Sequence, residues 1–196
     1  MRTAFLATAL VTALLIPAGS AGTAVRFEVE DRVQHAELVF EGRVVSATPY
    51  ATGGGRVETE YFVSVHRTYL GKPFGTQVFR IPGGVLPDGS GLVIPGLPEL
   101  REGENALFFL TAEGPKGWRM PVGLAQGQLD IVVGADGRRA LASAGAELAL
   151  VDPLSGQIVP HAAGAVLDYQ ETVARIEAAA ARKLRGEPAN PNGEQR

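Results

Sequence analysis

The chain has 196 residues, hydrophobic 45% and charged 20%, with Gly 25, Pro 13 and Cys 0, a composition that suits one ordinary globular core. Lys+Arg 18 against Asp+Glu 21 leaves a net charge of -3, without the basic excess that phosphate backbones and anionic lipid surfaces attract, so nucleic acid is not an expected partner. The lack of cysteine removes disulfide frameworks, thiolate zinc sites, thiol nucleophiles and lipidated cysteines.

Met1 and Arg2 form a short positive start, residues 4–16 are almost wholly apolar, and Pro17-Ala18-Gly19-Ser20-Ala21-Gly22-Thr23-Ala24 is a run of small residues. This is the pattern of a secretory signal peptide over 1–24, cut near Ala21 or Ala24. The apolar stretch is shorter than the roughly 20 residues that span a bilayer. No basic stop-transfer cluster follows it, so no stable membrane insertion is expected after cleavage. The expected product is an exported protein, secreted or periplasmic, with a single domain over 25–186 and a disordered tail over 187–196.

Val29, Val33 and Ala36 recur at helical spacing among charged and polar residues, which predicts a short lead-in helix. From Glu37 the period changes to two: Leu38, Phe40 and Val44 share a face, and Gly42 marks a place where a long strand can bend. Gly53-Gly54-Gly55 makes a hairpin into a second long strand, where Val57, Thr59, Tyr61, Val63 and Val65 alternate with Glu58, Glu60, Phe62, Ser64 and His66. A short strand over 76–81 follows the turn at Gly71-Lys72-Pro73. Residues 82–98 then carry so many prolines and glycines that regular structure should stop, apart from a brief edge strand at Val93 and Ile94. Leu107-Phe108-Phe109-Leu110 is a contiguous apolar run, which predicts a central strand buried on both faces. Short strands are expected over 118–122, 128–133 and 139–142, with Asp136-Gly137 as a turn, and a further pair around Asp152-Pro153-Leu154-Ser155-Gly156. Tyr169, Val173, Ile176, Ala180 and Leu184 fall on one helical stripe. Asp168 with Glu171 forms a capping-box pattern at its start, and Gly186 stands where a C-terminal cap belongs.

The stretch Ala36-Glu37-Leu38-Val39-Phe40-Glu41-Gly42-Arg43-Val44, then Val63-Ser64-Val65, Tyr69-Leu70-Gly71 and Leu107-Phe108-Phe109-Leu110, resembles the OB-like barrel of netrin-type and tissue-metalloproteinase-inhibitor modules. With Pro82-Gly83-Gly84, Pro95-Gly96-Leu97-Pro98, Arg101-Glu102-Gly103-Glu104 and Gly123-Leu124-Ala125-Gln126-Gly127, the chain is more similar still to a group of exported bacterial proteins. The resemblance covers residues 36–133 and implies a mainly β fold: an OB-like β-barrel with a short N-terminal helix and a C-terminal α-helix. It carries no residue role across, because those inhibitors grip zinc through an N-terminal cysteine that this chain lacks.

His35, His66 and His161 do not form a His-Glu-x-x-His pair, and no metal or cofactor is expected. His66 shares a strand face with Glu58, Glu60 and Ser64, the residue types of a tertiary-assembled hydrolase or metal site. The polar half of any half-buried strand looks the same. Glu58 with Glu60, and Glu102 with Glu104, are paired carboxylates of the glycosidase type, again more ordinary as solvated pairs. Ser90 sits in no nucleophile elbow. The long 82–98 loop is harder to explain structurally, since loops of that length are uncommon and often functional. Its Leu92, Ile94 and Leu97 are either a lid on the barrel or a contact surface for an exported protein or small ligand, and Tyr50, Tyr61 and Trp118 are candidates to line a ligand face. The expected function is an exported, soluble binding module without catalytic activity. The alternatives are a hydrolase or metal enzyme around His66, and a protease-associated inhibitory module acting through the loop.

Overall fold

A computed structural model describes residues 22–144, 148–160 and 164–188. Most of the expected leader and tail, together with His161, lies outside the described residues. The elements run β1 (Gly22–Val25), α1 (Val29–His35), β2 (Leu38–Thr52), β3 (Arg56–Leu70), β4 (Thr76–Pro82), β5 (Gly84–Val85), β6 (Gly91–Leu92), β7 (Asn105–Leu110), β8 (Gln128–Val133), β9 (Arg139–Ser143), β10 (Leu148–Val151), β11 (Ile158–Pro160), β12 (Val166–Asp168) and α2 (Tyr169–Leu184). The fold is mainly β with two helices.

One sheet of seven strands, ordered β12-β9-β8-β7-β2-β3-β4, carries the molecule. The apolar run 107–110 sits in its central strand, β7, where Leu107, Phe108, Phe109 and Leu110 are all at most 1% exposed. Alternation explains this double burial. Leu107 and Phe109 point with Val39 into a core shared with α1 and α2, whereas Phe108 and Leu110 point with Phe40, Tyr61, Val63, Phe79 and Ile81 into a second core on the other face. Gly42 marks a bend, as the sequence predicts, because the β2–β3 register slips between Glu41 and Gly42. A Cβ there would lie 2.5 Å from Val63 Cγ1, so only glycine fits.

The ladders do not close on themselves: among the described strands, β12 and β4 end the order as two edges. The expected strand over 118–122 is reduced to isolated bridges, Arg80↔Trp118 parallel and Leu110↔Pro121 antiparallel. A proline and a glycine interrupt the ladder that a full strand would need: Pro121 has no N–H to donate, and Gly123 turns the chain through a positive φ of 67. A second, three-stranded sheet orders β1-β10-β11, with β1 parallel to β10.

The helices hold each other across the first core. Arg175 Nε and Nη2 donate to both carboxylate oxygens of Glu30, at 2.9 and 2.7 Å, and this pairing holds the Glu30 carboxyl below its ordinary pKa. Lys183 Nζ donates to the carbonyls of Val33, Gln34 and Ala36, so the C-terminal helix adds a positive charge at the end of α1, whose own last turn carries Arg32 and His35. Asp168 Oδ1 accepts the Glu171 N–H at 2.8 Å. Gly186, at φ 74, donates to Lys183 O while Glu187 N donates to Arg182 O, which is a Schellman ending. The stripe itself needs one correction. Ile176 is 0% exposed, but Leu184, the last residue of α2, is 76% exposed.

Candidate functional site

The 82–98 segment is tied back onto the sheet rather than free. Gly83 N donates to Val57 O at 2.8 Å, and the Thr59 hydroxyl donates to Gly83 O at 2.7 Å. Gly84 lies at φ 136, and a Cβ there would lie 2.3 Å from Thr59 Oγ1, so the close approach of loop to strand requires glycine. The chain then forms the β5–β6 hairpin, pairing Gly84 with Leu92 and Val85 with Gly91. The regular piece therefore lies at Gly91–Leu92 and not at Val93–Ile94, since the positive-φ Gly83 and Gly84 fix the register of the pair. At the tip, Asp88 Oδ1 accepts from both the N–H and the hydroxyl of Ser90, which lowers the Asp88 pKa and engages the serine in a turn.

Between this loop and the sheet lies a cleft of about 370 Å³. Ala47, Pro49, Thr59, Tyr61 and Ile81 of the sheet face Val85, Leu92, Val93, Ile94 and Leu97 of the loop across it. All three loop residues singled out from the sequence thus line one site. The apolar surface continues onto the rim, where Val85, Leu92 and Val93 are 55%, 40% and 78% exposed. Among the described residues, Glu99 is the sole charged side chain of the lining, and Arg101 pairs with it at 2.9 Å. Tyr61 lies against Thr59, and its burial, assisted by Glu99, raises the phenol pKa. The site therefore offers apolar walls and a neutral phenol. From behind, Ala125 N donates to Gly96 O at 2.8 Å, and Leu124, which holds the unfavourable φ of 62, packs with Leu148 of β10.

The other candidates are scattered. His66 is exposed and occupies a bulge, since Arg67 pairs with Glu41 and Val65 with Gly42. Glu60 and Glu58 lie six and eight residues along the same strand, about 20 and 26 Å away at the usual rise per residue. Glu58 is buried and accepts from Tyr50 OH at 3.2 Å, Glu102 accepts from Ala47 N, and Glu104 accepts from Arg101 N. His35 Nδ1 lies 2.8 Å from Asp31 O. Tyr61 enters the cleft, but Tyr50 and Trp118 instead flank Arg80. Among the described residues, no group of three His, Asp or Glu side chains converges as a metal site, and no helix is long and apolar enough to cross a membrane.

One polar cluster goes unmarked by sequence motifs. Glu41, 4% exposed, accepts hydrogen bonds on Oε1 from Tyr69 OH and, at 2.8 Å, from Tyr169 OH. Arg139 stacks over the Tyr169 ring at 3.9 Å and approaches Glu41 Oε2 at 3.9 Å. Burial and the adjacent carboxylate raise the pKa of both phenols. The signal in the sequence is a lone glutamate directly after the apolar run 38–40, on the same strand face as Val39. Its partners lie 28 and 128 residues away, beyond the reach of any local pattern.

No family model matches the chain, and no curated protein is significantly similar to it.

Proposed function

We propose that the protein is an exported binding module without catalytic activity, and that its ligand seats in the cleft between the 82–98 loop and strands β2, β3 and β4. The observation that carries this reading is the cleft itself. Its volume of about 370 Å³ falls within the ordinary range of ligand sites, and apolar walls with few polar groups are their usual lining. Three prolines of the lining, Pro49, Pro82 and Pro98, and the bonds from Val57 and Thr59 hold its walls before any ligand arrives, so little ordering entropy is lost on binding. The surroundings of His66 lend little support to the hydrolase alternative, and a loop folded back on the sheet lends little to inhibition by loop insertion.

We read the scaffold as OB-like, in keeping with the netrin-type resemblance. Passing from β2 to β3 to β4, then by Arg119 N to Arg80 O at 3.0 Å, by Val122 N to Phe109 O at 2.9 Å, and from β7 back to β2, a five-membered ring can be traced. Its parallel step, at Arg80↔Trp118, rests on an isolated bridge. OB-type barrels bind ligands beside such a face with their connecting loops.

The test replaces Leu92, Ile94 and Leu97 together by serine and measures capture of partners from the native exported fraction, identified by mass. Capture should be lost while the far-ultraviolet circular dichroism of the sheet and the near-ultraviolet signal of its packed aromatic rings are retained. Unchanged capture would move the binding site elsewhere, and loss of folding would make the loop a structural lid.

A further inference from the structure

We infer that the cleft between the 82–98 loop and the sheet takes a small apolar amine, with its ammonium at the end formed by Glu99 and Tyr61. The inference rests on the reading of this cleft as the ligand site. Charge is the first argument. Among the described residues, the lining holds the carboxylate of Glu99 and no Lys, Arg or His. A second carboxylate stands at the same rim, because Glu102 Oε1 accepts the N–H of Ala47, a lining residue, at 3.4 Å. Arg101 answers Glu99 from outside the lining, Nη2 to Oε2 at 2.9 Å, but the two side chains are 72% and 76% exposed. Such a solvated pair contributes little, so a ligand ammonium can take the place of the guanidinium. A carboxylate or phosphate at this end would meet like charge instead.

The hydroxyls of the lining lead to the same ligand by a separate route. Thr59 spends its hydrogen on Gly83 O at 2.7 Å, so in its hydrogen bond with Tyr61 the phenol is the donor. Burial and the Glu99 charge keep that phenol protonated. Both hydroxyl hydrogens are thus used within the wall, and what remains for a ligand is lone pairs. Glu99, when ionised, is an acceptor only, so the polar side chains of the lining call for donors, of which an ammonium carries three. Pro49, Ile81, Leu92, Ile94 and Leu97 supply apolar wall for the hydrocarbon, and a volume of about 370 Å³ suits a small molecule.

Calorimetric titration of the full chain near pH 7 with octylamine, octanol and octanoate tests this, because the three share one hydrocarbon chain and differ in charge. Octylamine should bind at least about tenfold more tightly than octanoate, with octanol between them. Glu99→Gln should weaken octylamine about fivefold or more and leave octanol unchanged. Arg101→Ala, which frees Glu99, should tighten octylamine. Replacing Leu92, Ile94 and Leu97 by serine should abolish binding of all three. Octanoate bound as tightly as octylamine, or octylamine indifferent to Glu99→Gln, would overturn the inference and leave the cleft as the ligand site. Octylamine held equally by the triple-serine chain, or no probe bound at all, would overturn it as well. Capture of native partners by the parent, and not by the triple-serine chain, would in that case show separately that the cleft reading stands.

Discussion

Replacing Glu41 by leucine removes the one acceptor shared by two tyrosines from a place where water cannot substitute. Tyr169 is 2% exposed, and its hydroxyl donates to the carboxylate at 2.8 Å while Tyr69 donates to the same oxygen. A hydrogen bond to a charged group contributes about 1.5–3 kcal/mol net. The Arg139 contact adds little, since its side chain is 48% exposed and 3.9 Å away. Because the two bonds share one oxygen and Tyr69 can recover some hydration, the expected cost is about 3–5 kcal/mol rather than the full sum. That is a large part of the roughly 5–15 kcal/mol that holds a typical domain together. Glu41→Gln keeps an oxygen in place and loses only the charge, so it should cost about 1–2 kcal/mol. Urea unfolding of the three proteins measures the series, with the midpoint moving and the slope preserved. A leucine variant within about 1 kcal/mol of the parent would refute the reasoning, because the phenols would then have found other partners, and a glutamine variant as unstable as leucine would refute it by showing that a neutral oxygen does not hold the two hydroxyls.

The same phenols set an alkaline limit. The pKa values of Tyr61, Tyr69 and Tyr169 are all raised from an ordinary value of 10.0, so the unfolded chain releases these protons first as pH climbs. Stability from this source should be complete below pH 10 and fall above it, by up to about 1.4 kcal/mol per pH unit for each tyrosine. Chemical unfolding followed across that range checks it, and a flat profile would contradict it. On α2, Ile176→Asp places a charge at a position 0% exposed and should cost about 4 kcal/mol or more. Glu177→Ala breaks an ion pair to Arg67 whose partners are 45% and 52% exposed and should change stability by less than about 1 kcal/mol. Equal small effects in thermal melts would mean that the helix is not docked.

Local periodicity is sufficient for most of the scaffold. The double burial of 107–110 follows from four adjacent apolar residues, the bend at Gly42 from a glycine inside an alternating run, and α2 from its stripe and its Asp168 cap. Features set by partners far along the chain are not legible in this way. The segment 118–122 has strand-like composition, yet Pro121 and the turn at Gly123 leave it only bridges. β1 is hidden because its small residues look like the end of a leader, and only pairing with Leu148–Val151 makes it a strand. For the candidate site, the apolar side chains of the 82–98 loop are readable, whereas the cleft requires Gly83 and Gly84 to turn that loop back over Thr59. Glu41 shows the limit most plainly, since its role comes from two tyrosines on separate elements.

The clasp between the two helices also governs when this chain can fold. Glu30 and Arg175 are separated by 145 positions, and the carbonyls that Lys183 caps lie still farther from it along the chain. A ribosome adds about 5–20 residues per second, so for many seconds the outer side of Val39 and Phe109 has no helical cover, and α1 alone is too short to supply it. Contacts this remote also slow the final step itself. The core between the helices and the sheet therefore stays open on one side until residues 169–184 have been made, however early its strands pair.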